Sequence, residues 1–182
     1  RRRRRPPRGS PAPAGGIVAA RVLLRGRHPE LVRALAGRAR DLTLLAASAA
    51  EAAVLRRWAL EQGLDLTVES AARRPAAASG AWDLVVLDEP ATGRDPVPAS
   101  LEADLGLARR LLAREGRAWV VADYDSLEAA AGGAPPPQRL RGLMLAAGLD
   151  CQDLVPVEAA GRHVLVARSA PLRAAPALAR SA

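Results

Sequence analysis

The chain contains no lysine and no phenylalanine, a single cysteine and only two histidines. Without lysine it cannot build a phosphate-cradling GxxxxGK[ST] loop, which excludes nucleotide hydrolysis of that type. One thiol, Cys151, cannot form an intramolecular disulfide, and with only His28 and His163 beside it the donor count argues against a structural zinc site. No metal is expected. Aromatic residues make up 2% of the sequence, so Leu, Val and Ala have to pack the interior, and a thin, Ala-rich core is expected. No apolar run approaches the roughly 20 residues that cross a bilayer, and the Arg-rich start lacks the apolar segment of a secretory signal. These absences fit a protein of the reducing cytoplasm with no membrane span.

What is present is enough for one domain of ordinary size: 182 residues, 49% of them hydrophobic. The net charge of +8 suggests nucleic acid until it is located. Arg1 to Arg5, Arg8, Arg173 and Arg180 lie in the termini, and the remaining 19 arginines face 19 acids between Pro11 and Ala170. A neutral body offers no basic groove to follow a phosphate backbone. Nucleic-acid contact is therefore expected only through the Arg-rich N-terminal tail, if at all. Residues 1–16 read as a disordered Arg/Pro-rich tail, 17–169 as a folded α/β domain and 170–182 as a loose Ala/Pro-rich tail. The chain does not begin with Met, which leaves an upstream domain open.

The stretch that organises the rest runs from Gly80 to Asp125. An apolar run (WDLVVLDEP), an amphipathic segment from Ser100 to Arg114 and a second apolar run (GRAWVVADYD) form a parallel βαβ unit. Asp88, Asp123 and Asp125 stand where its strands end. Before it, Ile17 to Leu24 reads as a strand, Glu30 to Arg38 as a helix and Asp41 to Ala46 as a second strand. Ala49 to Gln62 is a helix capped by Ser48 and closed by Gly63, with Glu51 completing a capping box, and Leu64 to Val68 is a third strand. After it come a loop through Pro137, a helix from Gln138 to Ala147, and a hairpin near Cys151 to Val157 and Arg162 to Ala167. Alternation of this kind predicts a doubly wound, mostly parallel seven-strand sheet with a C-terminal antiparallel hairpin. In such sheets ligands bind beyond the carboxyl ends of the strands. Trp58, Trp82 and Trp119 read as packing residues, His163 as a sheet-edge residue and Cys151 as an unactivated thiol.

The order of elements, with WDLVV, LARRLLAREGRAWVVADYD and LRGLMLAAGLDCQDLVPVEAAGRHVLVARS, resembles the class I S-adenosylmethionine-dependent methyltransferases over Arg21 to Arg168. The resemblance implies S-adenosylmethionine as cofactor and a small molecule as methyl acceptor. It places the cofactor's glycine loop at Arg25 to Glu30, where Gly26 fits and His28 stands where a later glycine is expected. It puts the ribose carboxylate at Ala46-Ala47, where none exists, and the acid after the third strand at Ser70, with Glu69 beside it as a substitute. Losing the ribose carboxylate and one further polar contact would cost roughly 3–6 kcal/mol, about a 10²- to 10⁴-fold loss of affinity. Gly26, His28, Glu69 and Ser70 are thus the cofactor-binding candidates, and Asp88, Asp123 and Tyr124 the catalytic ones. The alternative is a catalytically inactive methyltransferase-fold domain serving as an interaction or scaffold module.

Two local resemblances fail on chemistry. Leu87 to Pro96 (LDEPATGRDP) is similar to the Walker B region of ABC-type ATPases, with Asp88 and Glu89 as the acids, but the lysine loop is missing. VLLRGRHPELVRAL and DLVVLDEPATG are similar to response-regulator receivers, yet the metal-holding acids would fall near Arg25 to Arg27 and the receiver lysine is absent.

Overall fold

Val22, Leu23 and Leu24 are all buried, although successive side chains of a strand point to opposite faces. Only a strand covered on both sides needs such a run, and the same holds for the Leu84 to Leu87 stretch. The computed structural model describes residues 21–26, 29–70, 80–88, 97–129, 133–159 and 162–172. Their elements are β1 (Arg21–Arg25), α1 (Pro29–Ala36), β2 (Asp41–Ala46), α2 (Ala49–Glu61), β3 (Thr67–Ser70), β4 (Trp82–Asp88), α3 (Val97–Leu111), β5 (Leu112–Asp123), α4 (Tyr124–Ala129), α5 (Pro136–Ala146), β6 (Leu149–Ala159) and β7 (Arg162–Pro171).

Among the described residues seven strands form one sheet in the order β3-β2-β1-β4-β5-β7-β6. β1 to β5 run parallel, and β7 enters antiparallel between β5 and β6. The fold is a doubly wound α/β sheet closed by a C-terminal hairpin, as expected. One face packs Leu23, Leu45, Val85, Leu87, Val120 and Leu165 against α3, α4 and α5 through Leu105, Leu127, Leu140 and Met144. The other packs Val22, Leu24, Leu44 and Val86 against Val32, Leu35 and Ala52 of α1 and α2. Aliphatic side chains fill both layers; Trp82 is the buried aromatic of the first, with the Arg21 guanidinium over its ring, 5.0 Å from the centroid. No helix among the described residues is long and apolar enough to cross a membrane.

Several boundaries move, each for a local reason. Ile17 to Ala20, expected in the first strand, lie outside the described residues, as do the expected N-terminal tail, residues 173–182 of the expected C-terminal tail and most of the loop from Ala71 to Gly80, while Ala170 and Pro171 extend the last strand. β3 starts at Thr67 instead of Leu64, because Leu64 N–H still bonds Ala59 C=O at the end of α2, and pairing with β2 carries the strand through Glu69 and Ser70. β5 starts at Leu112, ahead of Gly116, and a bulge lies where Trp82 pairs with Leu112 but Leu84 with Arg117. Trp119 consequently sits inside β5, opposite Val86. α5 starts at Pro136, since proline is tolerated in a first helical turn. β6 is longer than expected at both ends, and β7 starts at Arg162 as expected but runs on to Pro171. Tyr124–Ala129 forms a short helix where a loop was expected. Asp123 Oδ1 accepts the Ser126 N–H at 2.9 Å.

The capping box of α2 is present in a modified form. Ser48 Oγ accepts the Glu51 N–H at 3.1 Å, while Glu51 Oε2 reaches one residue past the cap and accepts from Ala47 N–H at 2.9 Å. Ser48→Ala is expected to cost about 1 kcal/mol and to lower the melting temperature by roughly 2–4 °C, measured by thermal unfolding followed by circular dichroism.

Candidate functional site

The five parallel strands deliver their last residues to one edge of the sheet: Arg25 with Gly26, Ala46, Glu69 with Ser70, Asp88, and Asp123. The strand order reverses between β1 and β4, where ligands enter sheets of this type. Arg25 pairs with Leu87, so the next residues along, Gly26 and Asp88, meet at that crevice. A Cβ on Gly26 would stand 2.6 Å from Asp88 Cβ and 2.8 Å from its carbonyl oxygen. No other residue type permits that approach. Gly26 is thus needed to bring the chain across the end of β4, and Asp88, 4% exposed, fills the space in front of it. Beside it Arg25 forms an ion pair with Asp104 of α3. A second surface of Gly26 borders a cavity of about 210 Å³ walled by Pro29, Val32, Leu55 and Trp58, so Trp58 packs against the α1–α2 layer and also lines a space.

At the end of β2, Ala46 is buried at 1% exposure, and the nearest following acid, Glu51, is committed to Ala47 N–H. At the end of β3 the situation differs. Ser70 is buried, and Glu69 Oε2 is buried with no hydrogen-bond partner. Val68 packs into the α1–α2 layer, so strand alternation turns Glu69 to the opposite face, alongside its register partner Leu45. A buried carboxylate oxygen without a donor costs about 1–3 kcal/mol or more, which a bound donor would return.

At the end of β5, Asp123 holds the first turn of α4. Tyr124 is half-buried against the α3–α5 layer and borders a cavity of about 420 Å³ shared with Asp125, Val157, Glu158, His163 and Val164. Of the three catalytic candidates, then, Tyr124 alone lines this cavity; Asp88 packs on Gly26 and Asp123 caps a helix. His28, the remaining cofactor candidate, lies outside the described residues, as does Glu89. In the sequence His163 reads as a sheet-edge residue, and Glu158 belongs to no motif. Their cross-strand register, Glu158 opposite His163, brings them together, and no local pattern announces that register. Burial pushes the Cys151 thiol above its ordinary pKa, with Sγ 3.6 Å from Asp153 C=O, so it is not an activated thiolate.

Taken together, the strand order, the two helical layers and the reversed last strand make this the fold of the class I S-adenosylmethionine-dependent methyltransferases. Among solved structures, the N-methyltransferase NodS from Bradyrhizobium japonicum is 15% identical with a TM-score of 0.62, covering 86% of this chain and 88% of its own. A SAM-dependent methyltransferase from Methanosarcina mazei is 10% identical with a TM-score of 0.62, covering 86% and 94%. The S-adenosylmethionine-dependent methyltransferase SibL is 17% identical with a TM-score of 0.60, and the match covers 85% of this chain but 51% of SibL. The sequence matches no protein-family model and no curated protein.

Proposed function

We propose that the chain is an S-adenosylmethionine-dependent methyltransferase acting on a small molecule. The observation that carries this reading is Glu69: on a methyltransferase-type sheet, a buried carboxylate oxygen without a donor stands beside the strand end where a nucleoside's hydroxyl or amino groups would supply one. When bound, the cofactor supplies an electrophilic methyl group. Glu69 and Ser70 then anchor its nucleoside end, with the Gly26 backbone lying between that anchor and the rest of the edge. The acceptor occupies the Tyr124 cavity. β3 and β5 are four inter-strand spacings apart, about 19 Å at 4.8 Å each, so anchor and acceptor cavity serve opposite ends of the site.

Purified protein titrated calorimetrically with S-adenosylmethionine and S-adenosylhomocysteine is expected to show saturable binding. Glu69→Gln is expected to weaken it about 10- to 150-fold, the loss of one hydrogen bond to a charged group, with the fold intact by circular dichroism. Binding that is unchanged in Glu69→Gln would remove Glu69 from the site. No heat at millimolar ligand would remove the enzyme reading and leave the second one, a methyltransferase-fold interaction module. A specific observation favours that alternative: Asp88 packs against Gly26 and Asp104 pairs with Arg25, so the chain's own groups engage the ends of β1 and β4.

A further inference from the structure

The cavity at the end of β5 has a chemical character of its own. Its volume of about 420 Å³ lies in the range of small-molecule sites. Its apolar wall is Pro156, Val157 and Val164 with the Tyr124 ring, and its charged groups are the Asp125 and Glu158 carboxylates, with His163 beside them. Among the described residues that line it there is no arginine, in a chain whose every strong base is arginine.

Some carboxylates elsewhere in the body are paired with arginine. Asp104 pairs with Arg25, and in this same hairpin Asp153 pairs with Arg168, which holds the Asp153 carboxyl below its usual pKa. Five residues further along β6, Glu158 faces His163 across the ladder, and no ion pair joins the two.

We infer that this cavity binds a small organic cation, an apolar molecule carrying one protonated amine. The two carboxylates attract the ammonium and accept its hydrogen bonds, while the Tyr124 ring and the valines take the apolar body. An anionic ligand of the same shape meets two like charges and is rejected. As a statement about the methyl acceptor this rests on the reading above; as a binding site it needs no cofactor.

Benzylammonium serves as probe, with benzyl alcohol and benzoate as neutral and anionic counterparts, titrated into the full chain without cofactor and followed by backbone amide shifts. The expected result is saturable shifts at Tyr124, Glu158 and His163 for benzylammonium, with benzyl alcohol at least about tenfold weaker and benzoate without effect. Glu158→Gln is expected to weaken benzylammonium about three- to tenfold, and Asp125→Asn with Glu158→Gln about 10- to 50-fold, exposed charges counting for less than buried ones. Both substitutions lie on exposed positions, and an unchanged melting temperature confirms that the fold is kept. Equal affinity for benzyl alcohol, binding of benzoate, no shifts up to roughly 10 mM, or a double variant that binds as before would each overturn the assignment. Cofactor titration decides separately. Amine binding without S-adenosylmethionine binding would leave this site standing and remove the methyltransferase; the reverse would keep the enzyme and remove the amine as its acceptor.

Discussion

Gly26→Ala is expected to lower the melting temperature by about 5–15 °C, the largest effect of any single methyl group added at the candidate site. The added Cβ would meet Asp88 Cβ at 2.6 Å and its carbonyl oxygen at 2.8 Å, and it would sit on a backbone with φ of 155°, where side chains are seldom found. Overpacking of this kind costs about 1–3 kcal/mol and the unfavourable backbone a further 1–3 kcal/mol. The carbonyl belongs to the last residue of β4 and cannot turn away as a side chain can. A double-mutant cycle with Asp88→Gly separates the parts: removing the Cβ and carboxylate should recover some of the penalty, and the carbonyl contact should keep the rest. If Gly26→Ala instead unfolds with the wild-type midpoint, the β1 end does not lie where the structure places it. The same geometry governs how function is tested. A Gly26 variant that fails to bind S-adenosylmethionine would not identify a cofactor loop, because the strand end itself has moved. Glu69→Gln carries that question without this ambiguity.

The sequence told most about elements whose fate is decided locally. Apolar runs such as Val22 to Leu24 and Leu84 to Leu87 are long enough to demand cover on both faces, and that requirement already implies a parallel sheet between helical layers. Ser48, Glu51 and Gly63 mark the ends of α2 because capping is settled within four residues. The site was less legible because its members are joined by pairing and not by spacing. Gly26 reads as a cofactor glycine until β1 is set beside β4, and then Asp88 explains it. Asp123 reads as a cleft acid until Ser126 folds back onto it. Glu158 and His163 lie five positions apart in a stretch with no motif, and only the antiparallel register makes them neighbours. Trp119 lies in mid-strand opposite Val86, because β5 begins at Leu112, ahead of the apolar run that marks it in the sequence.

Arg25→Leu is expected to cost about 2–4 kcal/mol, a drop of roughly 5–12 °C in melting temperature, whereas Arg25→Leu combined with Asp104→Leu should return to within about 1–2 kcal/mol of the original stability. The asymmetry follows from where the two groups sit. The Asp104 side chain is 12% exposed and packs beside Leu101, Leu105 and Ala108 on the sheet-facing side of α3, so removing its partner leaves a charge that water reaches poorly. The Arg25 side chain is 32% exposed, which discounts the loss from the 3–5 kcal/mol of a fully buried pair. Replacing both members removes two desolvation penalties together with one attraction, and apolar side chains of similar length can rejoin the Leu87 and Leu101 layer. Chemical unfolding of the wild type, both single variants and the double variant gives the coupling energy directly. A coupling below about 0.5 kcal/mol would show that the pair does not hold β1 to α3. The pair also bears on the choice between the two functional readings, since Arg25 ends β1 beside the crevice where Gly26 meets Asp88. Once the double variant has recovered its stability, tighter binding of S-adenosylmethionine than in the wild type would show that the ion pair opposes the cofactor. Unchanged binding would show that it is a strut between strand and helix, placed at the edge of the site and taking no part in it.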